Sequence, residues 1–173
     1  MGYDMYKLDS EGEPREIQSY EDDNYFRLNI WGMGRARELA CWGHGLESAS
    51  SQLKMDMMIA QAVGKNPKEF EPSDYQKAIM EVETVLRMSD MPYHWDGATR
   101  ESYESKYENF LEPFSSNWNT ATKEQCEILA EGIETAIDLI NSQPIVPEAL
   151  SDLEIYSEFA EWLKDCPHGV FVG

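Results

Sequence analysis

Hydrophobic and polar positions fall into two periods along this chain. From Tyr25 to Trp31 they alternate, with Phe26, Leu28 and Ile30 on one side and Arg27, Asn29 and Trp31 on the other. A period of two sets one face against a core and the other toward solvent, so residues 25–31 are expected to form a strand. Residues 3–8 alternate more loosely and supply its expected neighbour. At Gly32-Met33-Gly34 the period changes. A glycine turn is expected there, feeding a helix in which Met33, Ala36, Leu39 and Ala40 share a face. Gly43 and Gly45 would close that helix, because glycine accepts positive φ at little cost.

Beyond Gly45 the period is helical almost throughout. Ser50 to Gly64 reads as a helix with a serine cap, a glycine stop and many methionines, which usually fill gaps in cores. Ser73 followed by Gln76 is a capping-box pattern, and Tyr75, Ala78, Ile79, Val82, Val85 and Leu86 keep helical spacing behind it. Met91 to Gly97 interrupts with a proline, aromatic residues and an Asp-Gly turn. Residues 100–111 place Tyr103, Tyr107, Phe110 and Leu111 on one face, and Pro113 ends that run. Residues 114–119 read as loop. From Ala121 to Ser142, Cys126, Leu129, Ile133, Ala136, Ile137 and Ile140 share a face. Pro144 and Pro147 break the chain. Ser151 and Glu154 suggest another capping box, opening a helix that buries Ile155, Tyr156, Phe159, Trp162 and Leu163. Gly169 to Gly173 reads as a short strand returning to the sheet. No Gly/Ser or Pro-rich linker divides the 173 residues and no repeat is present. The expectation is one α+β domain: a small antiparallel sheet from the N-terminal strands, joined by the C-terminal one, covered by four to six helices.

Charge narrows what such a domain can do. Asp and Glu number 33 against 14 Lys and Arg, a formal net charge of −19. That surface repels phosphate backbones and anionic lipid, so neither direct nucleic-acid binding nor membrane binding is expected. It favours a basic partner, a cation, or simply solubility. No stretch reaches the length of a membrane span, and the N-terminus lacks the pattern of a signal peptide. Three cysteines at wide spacing make no disulfide framework, which points to a reducing cytoplasm.

The charge is also patterned. Glu124, Glu127, Glu131, Glu134 and Asp138 recur at intervals of three and four, opposite the apolar face of their helix. Glu154, Glu158, Glu161 and Asp165 repeat the arrangement on the last helix. From Pro113 onward 11 acids accompany two lysines, Lys123 and Lys164. Like charges at i,i+4 destabilise a helix slightly, and exposed helices ordinarily mix signs. The plain reading of each stripe is a solvated face; the sharper one is a surface for charge presentation, with Trp118 as a nearby anchor.

Other constellations are weaker. Trp31, Arg35, Arg37, Cys41, Trp42 and His44 cluster in sequence around the strand-to-helix junction and give an alternative pocket, suited to a small enzyme or a ligand-binding protein. Arg35 and Arg37 could hold an anion there, although neither a phosphate-loop nor a dinucleotide fingerprint is present. Cys41, His44, Cys166 and His168 have the donor softness for zinc but unusual spacing. Cys41 with His44 or His94 as a nucleophile–base pair would need an oxyanion hole and a positioned third group, and no family signature supports it. Neither metal nor cofactor is expected.

The segments Met1-Gly-Tyr-Asp-Met-Tyr6, Tyr25-Phe-Arg-Leu-Asn-Ile-Trp-Gly-Met33 and Phe159-Ala-Glu-Trp-Leu-Lys-Asp-Cys166 resemble small acidic bacterial and phage proteins of no assigned activity. The resemblance covers about a quarter of the chain, implies a bacterial or phage setting and transfers no catalytic residue. By analogy with small acidic inhibitors of host nucleic-acid enzymes, the leading expectation is a non-enzymatic protein that occupies a basic surface of a partner as a nucleic-acid mimic. A structural or assembly subunit is the third reading.

Overall fold

Four strands, β1 (Gly2–Lys7), β2 (Tyr25–Asn29), β3 (Asn119–Ala121) and β4 (Val170–Val172), form one antiparallel sheet in the order β2-β1-β4-β3. The computed structural model describes residues 2–44, 59–65, 69–89 (for 81–89 the helical backbone alone), 110–115, 117–143 and 152–173. The register sets Tyr3 opposite Leu28, Tyr6 opposite Tyr25, and Tyr6 also opposite Phe171. Alternation along each strand then divides the sheet. Tyr3, Met5, Phe26, Leu28, Ala121, Val170 and Val172 face the helices and join the core. Asp4, Tyr6, Tyr25, Arg27, Thr120 and Phe171 face the other way. The expected α+β architecture and the return of the C-terminal strand are both observed; β3 fell within an expected loop and helix start.

Three helices cover the inner face: α1 (Ile30–Gly43), α3 (Lys123–Asn141) and α4 (Glu154–Lys164). A fourth, α2 (Pro72–Ser89), lies earlier in the chain than α3. Buried side chains such as Met5, Met33, Leu39, Phe114, Ile133 and Phe159 make a continuous core between sheet and helices. At the strand-to-helix junction the structure corrects the sequence reading. The strand stops at Asn29, and Gly32 and Gly34 lie inside α1 instead of forming a turn. Asn29 is the cause: its side-chain oxygen accepts from the Gly32 N–H at 2.6 Å, capping the helix before the alternation has run out. Trp31 therefore sits in the first helical turn.

Gly43 also has a different reason from the expected one. Among the described glycines positive φ occurs at Gly12, Gly64 and Gly169, not at Gly43. Instead, α1 and α3 cross backbone to backbone, and a Cβ at Gly43 would lie 1.8 Å from the Gly132 carbonyl oxygen. The stop at Gly64 is observed, with its N–H bonded to the Ala60 carbonyl at 2.9 Å.

Helix starts differ as well. α2 begins at Pro72, one residue before the expected Ser73 cap; the Asp74 carboxylate accepts from the Glu71 N–H at 2.9 Å, and Tyr75 and Ile79 are exposed. α3 is opened by Thr122 and Gln125, which bond each other's backbone N–H in a full capping box, while Ala121 belongs to β3. α4 starts at Glu154 behind Leu153, which makes no side-chain cap bond, and Ile155 is exposed instead of buried. The expectations for Gly45, residues 50–58, residues 91–109, Pro144, Pro147 and Ser151 lie outside the described residues.

Candidate functional site

On α3 the buried side chains Cys126, Leu129, Ile133, Ala136 and Ile140 define the inner face. With 100° per residue, the carboxylates at 124, 127, 131, 134 and 138 must then lie on the outer face. Glu124, Glu131 and Asp138 are exposed, and Glu127 and Glu134 are half-buried. On α4, Phe159, Ala160 and Leu163 face inward, leaving Glu154, Glu158, Glu161 and the C-cap residue Asp165 exposed. The two helices pack against each other. Their acidic faces meet at Lys164, whose ammonium holds Glu134 across the helix pair.

Three of the nine carboxylates are neutralised locally. Lys123 pairs with Glu127 at 3.4 Å, Lys164 with Glu134, and Lys7 with Asp165 at 2.6 Å. Among the described residues no ion pair engages the other six: Glu124, Glu131, Asp138, Glu154, Glu158 and Glu161. The stripes are thus exposed surface features, and among the described residues six of the nine acids meet no cationic partner.

The Lys7–Asp165 pair ties the charged end of α4 to the sheet. Lys7 is buried on β1, its Nζ 5.7 Å from the Trp162 ring centre, while its partner Asp165 is exposed. Its hydrogen bond, and next its charge, hold the Asp165 carboxyl below the ordinary 3.8. Asp9, Asp22 and Asp74 are lowered too, chiefly by the backbone N–H groups of Glu13, Asn24 and Glu71. Carboxyls lowered on folding add stability that is complete above their unfolded value, here near 3.8, and lost as pH falls through their folded values. Urea midpoints should therefore drop as pH falls below about 3.8, and Asp165→Asn should make that drop shallower. An acid limb identical in the variant would show that this pair contributes nothing to it.

The alternative pocket is divided by the structure. Trp31 and Arg35 line an open cleft of about 870 Å³ together with Arg27, Asn29, Glu38 and Tyr156. Arg35 is not free in it, since its guanidinium bonds Glu38 at 3.1 Å. Cys41, Trp42 and His44 stand toward the other end of α1, about 9–13 Å along the axis from Arg35 and about 15–20 Å from Trp31 at 1.5 Å per residue. Cys41 is buried and Trp42 packs on the core. His44 Nε2 donates to the Ile128 carbonyl at 2.6 Å, and the ring meets the Phe110 ring edge-on. That histidine locks α1 to α3. Arg37 is half-buried and does not line the cleft. Cys166 is buried after α4, its thiol donating to the Trp162 carbonyl, and burial pushes it up to about 12, far from a thiolate at neutral pH. Among the described residues no three His, Cys, Asp or Glu side chains converge as a metal site would require. His94 lies outside the described residues.

Trp118 does not flank the stripes. Its ring meets Phe171 on the sheet face turned away from the helices. There it ends a row of five rings, with Tyr20 packed on Tyr25, Tyr25 on Tyr6, and Tyr6 on Phe171. Tyr25 donates from its hydroxyl to Asp4, and burial together with that bond raises its pKa. The sequence reading missed this row because it followed the core-facing phase of each strand; the opposite phase carries the signal.

Among the described residues no helix is long and apolar enough to cross a membrane. No family model matches the chain, and no curated protein or solved structure matches it either.

Proposed function

We propose that this protein is a non-enzymatic acidic binding protein that occupies the basic surface of a partner, in the manner of a nucleic-acid mimic. The observation that carries the reading is the pair of adjoining carboxylate rows on α3 and α4, six of whose nine acids have no ion pair among the described residues. Spacing supports it. Alternating steps of three and four residues place one carboxylate about every 5 Å along a helix axis, against one phosphate about every 3.4 Å of duplex axis on one DNA strand. Packed helices lie about 8–10 Å apart, comparable with the roughly 12 Å major groove that separates two phosphate rows. A protein groove lined for two such rows could accept these helices instead, steered by the overall charge of −19. The class of partner is a nucleic-acid-binding enzyme with an exposed basic groove.

The test is retention of the heparin-binding fraction of a bacterial lysate on the immobilised protein. The comparison is the variant Glu124→Lys/Glu131→Lys/Asp138→Lys, which changes exposed acids only. A nucleic-acid enzyme held at about 50 mM salt, released by about 300 mM and retained at least about tenfold less by the variant is the expected result. Equal retention by both proteins would sink the reading. The cleft at Trp31 and Arg35 favours a second reading, a small-ligand site. Binding there would survive the charge reversals and fail on Arg35→Ala.

A further inference from the structure

We propose that the outer face of the sheet receives arginine side chains from an extended basic segment of the partner at the two exposed ends of its aromatic row; the inference rests on the basic-partner reading above and deepens it. The ring centres follow one another at 5.5 Å (Tyr20–Tyr25), 5.4 Å (Tyr25–Tyr6), 6.4 Å (Tyr6–Phe171) and 5.9 Å (Phe171–Trp118). The row crosses β2, β1 and β4, and it is open at its ends, where Tyr20 is 77% and Trp118 is 81% exposed; Tyr25 is buried between its neighbours, so incoming guanidinium groups meet the row at those two ends. Beside Tyr6 and Tyr20 a hollow of about 300 Å³, walled by Ile17, Gln18 and Ser19, gives the face depth at one end.

Charge selects the occupant. The segment that borders this end, residues 9–24, carries seven acids (Asp9, Glu11, Glu13, Glu16, Glu21, Asp22 and Asp23) and one base, Arg15. Nucleotide bases also stack on aromatic rows, but their phosphates need a cationic groove, which this border denies. A second copy of the chain would bring a second −19 to the same place. Arginine satisfies both features at once. Its planar guanidinium stacks on ring faces, carries a permanent positive charge and stays attractive to nearby carboxylates. Trp118 reinforces the point: with φ at +69° it is the one non-glycine residue at positive φ among the described residues. A glycine would sit there without strain, yet the position presents an indole.

The experiment measures fluorescence anisotropy of a labelled peptide of alternating arginine and glycine, with a citrulline–glycine peptide as the neutral counterpart. Wild-type protein should bind the arginine peptide and not the citrulline one. Trp118→Gly and Tyr20→Ala should each weaken binding about fivefold, while the triple reversal on α3 weakens it less than twofold. Both ring variants alter exposed positions, and unfolding midpoints near wild type will show that they fold. Absence of peptide binding to the wild type, or equal binding to the ring variants, overturns the inference. Loss confined to the triple reversal overturns it too, yet leaves the basic-partner reading standing, since the lysate fraction tests that reading separately. Concentration-dependent doubling of mass, abolished by Trp118→Gly, would overturn it in favour of a second copy.

Discussion

Gly43→Ala should lower the unfolding free energy by at least about 3 kcal/mol, a fall in Tm of roughly 6–12 °C for a chain of this size. A Cβ there would lie 1.8 Å from the Gly132 carbonyl oxygen and 2.6 Å from its carbon. Both are backbone atoms, which cannot rotate away as the tip of a flexible side chain can. α1 and α3 would have to separate. The bond from His44 to the Ile128 carbonyl, 2.6 Å long beside the crossing, would stretch with them. The reciprocal change, Gly132→Ala, meets the Ala40 carbonyl oxygen at 2.6 Å and should behave alike. The sign of the effect is informative, because alanine is favoured over glycine inside a helix by about 1 kcal/mol. A loose crossing would therefore make Gly43→Ala stabilising. Thermal and urea unfolding decide it, and a midpoint at or above wild type would refute the close approach.

Phe159→Ala is the second large effect, expected to cost about 3–5 kcal/mol. Phe159 is fully buried and joins α4 to the sheet. Its ring packs on Phe26 of β2 with centres 5.1 Å apart and lies nearly parallel to Trp162 at 6.4 Å. Removing it deletes apolar contacts on both sides and leaves a cavity between two layers that cannot both collapse into it. Phe159→Leu, which fills most of that space, should cost under about 1.5 kcal/mol. Urea unfolding of the pair separates the two outcomes. Similar losses for both would mean that ring geometry, and not volume, holds α4 in place. Because α4 and its C-cap carry four of the acids in the proposed surface, the alanine variant should also weaken partner retention near its own melting range.

Where one periodicity dominated, the sequence was a good guide. α3 and α4 announce themselves by an apolar stripe opposite an acidic one, and the β1–β2 pairing by alternation; burial in the structure follows both patterns except at Ile155. Local side-chain chemistry was harder to read. Asn29 ends a strand whose alternation continues on paper to Trp31, because one side-chain hydrogen bond to Gly32 outweighs two more residues of weak pattern. Gly43 looked like a stop signal, although its function is to have no side chain where another helix passes; no local pattern distinguishes those two uses. The grouping of Trp31 through His44 was a grouping along the chain, and a helix turned nearness in sequence into distance in space. The aromatic row is the opposite case. Tyr6, Tyr20, Phe171 and Trp118 come from four separate stretches, and only strand register brings them together.

Register also has a consequence for synthesis. β4 stands between β1 and β3 although it is the last strand in sequence, and its neighbourhood is joined to the first strand by a lysine–aspartate bond 158 positions apart. β1 therefore emerges from the ribosome with one edge paired by β2 and the other open. At about 5–20 residues per second, roughly ten to thirty seconds separate translation of β1 from that of β4. Throughout that interval the open edge is a template for any passing strand, and its correct partner does not yet exist. The nascent chain, more than the finished protein, is where this fold is exposed to mispairing.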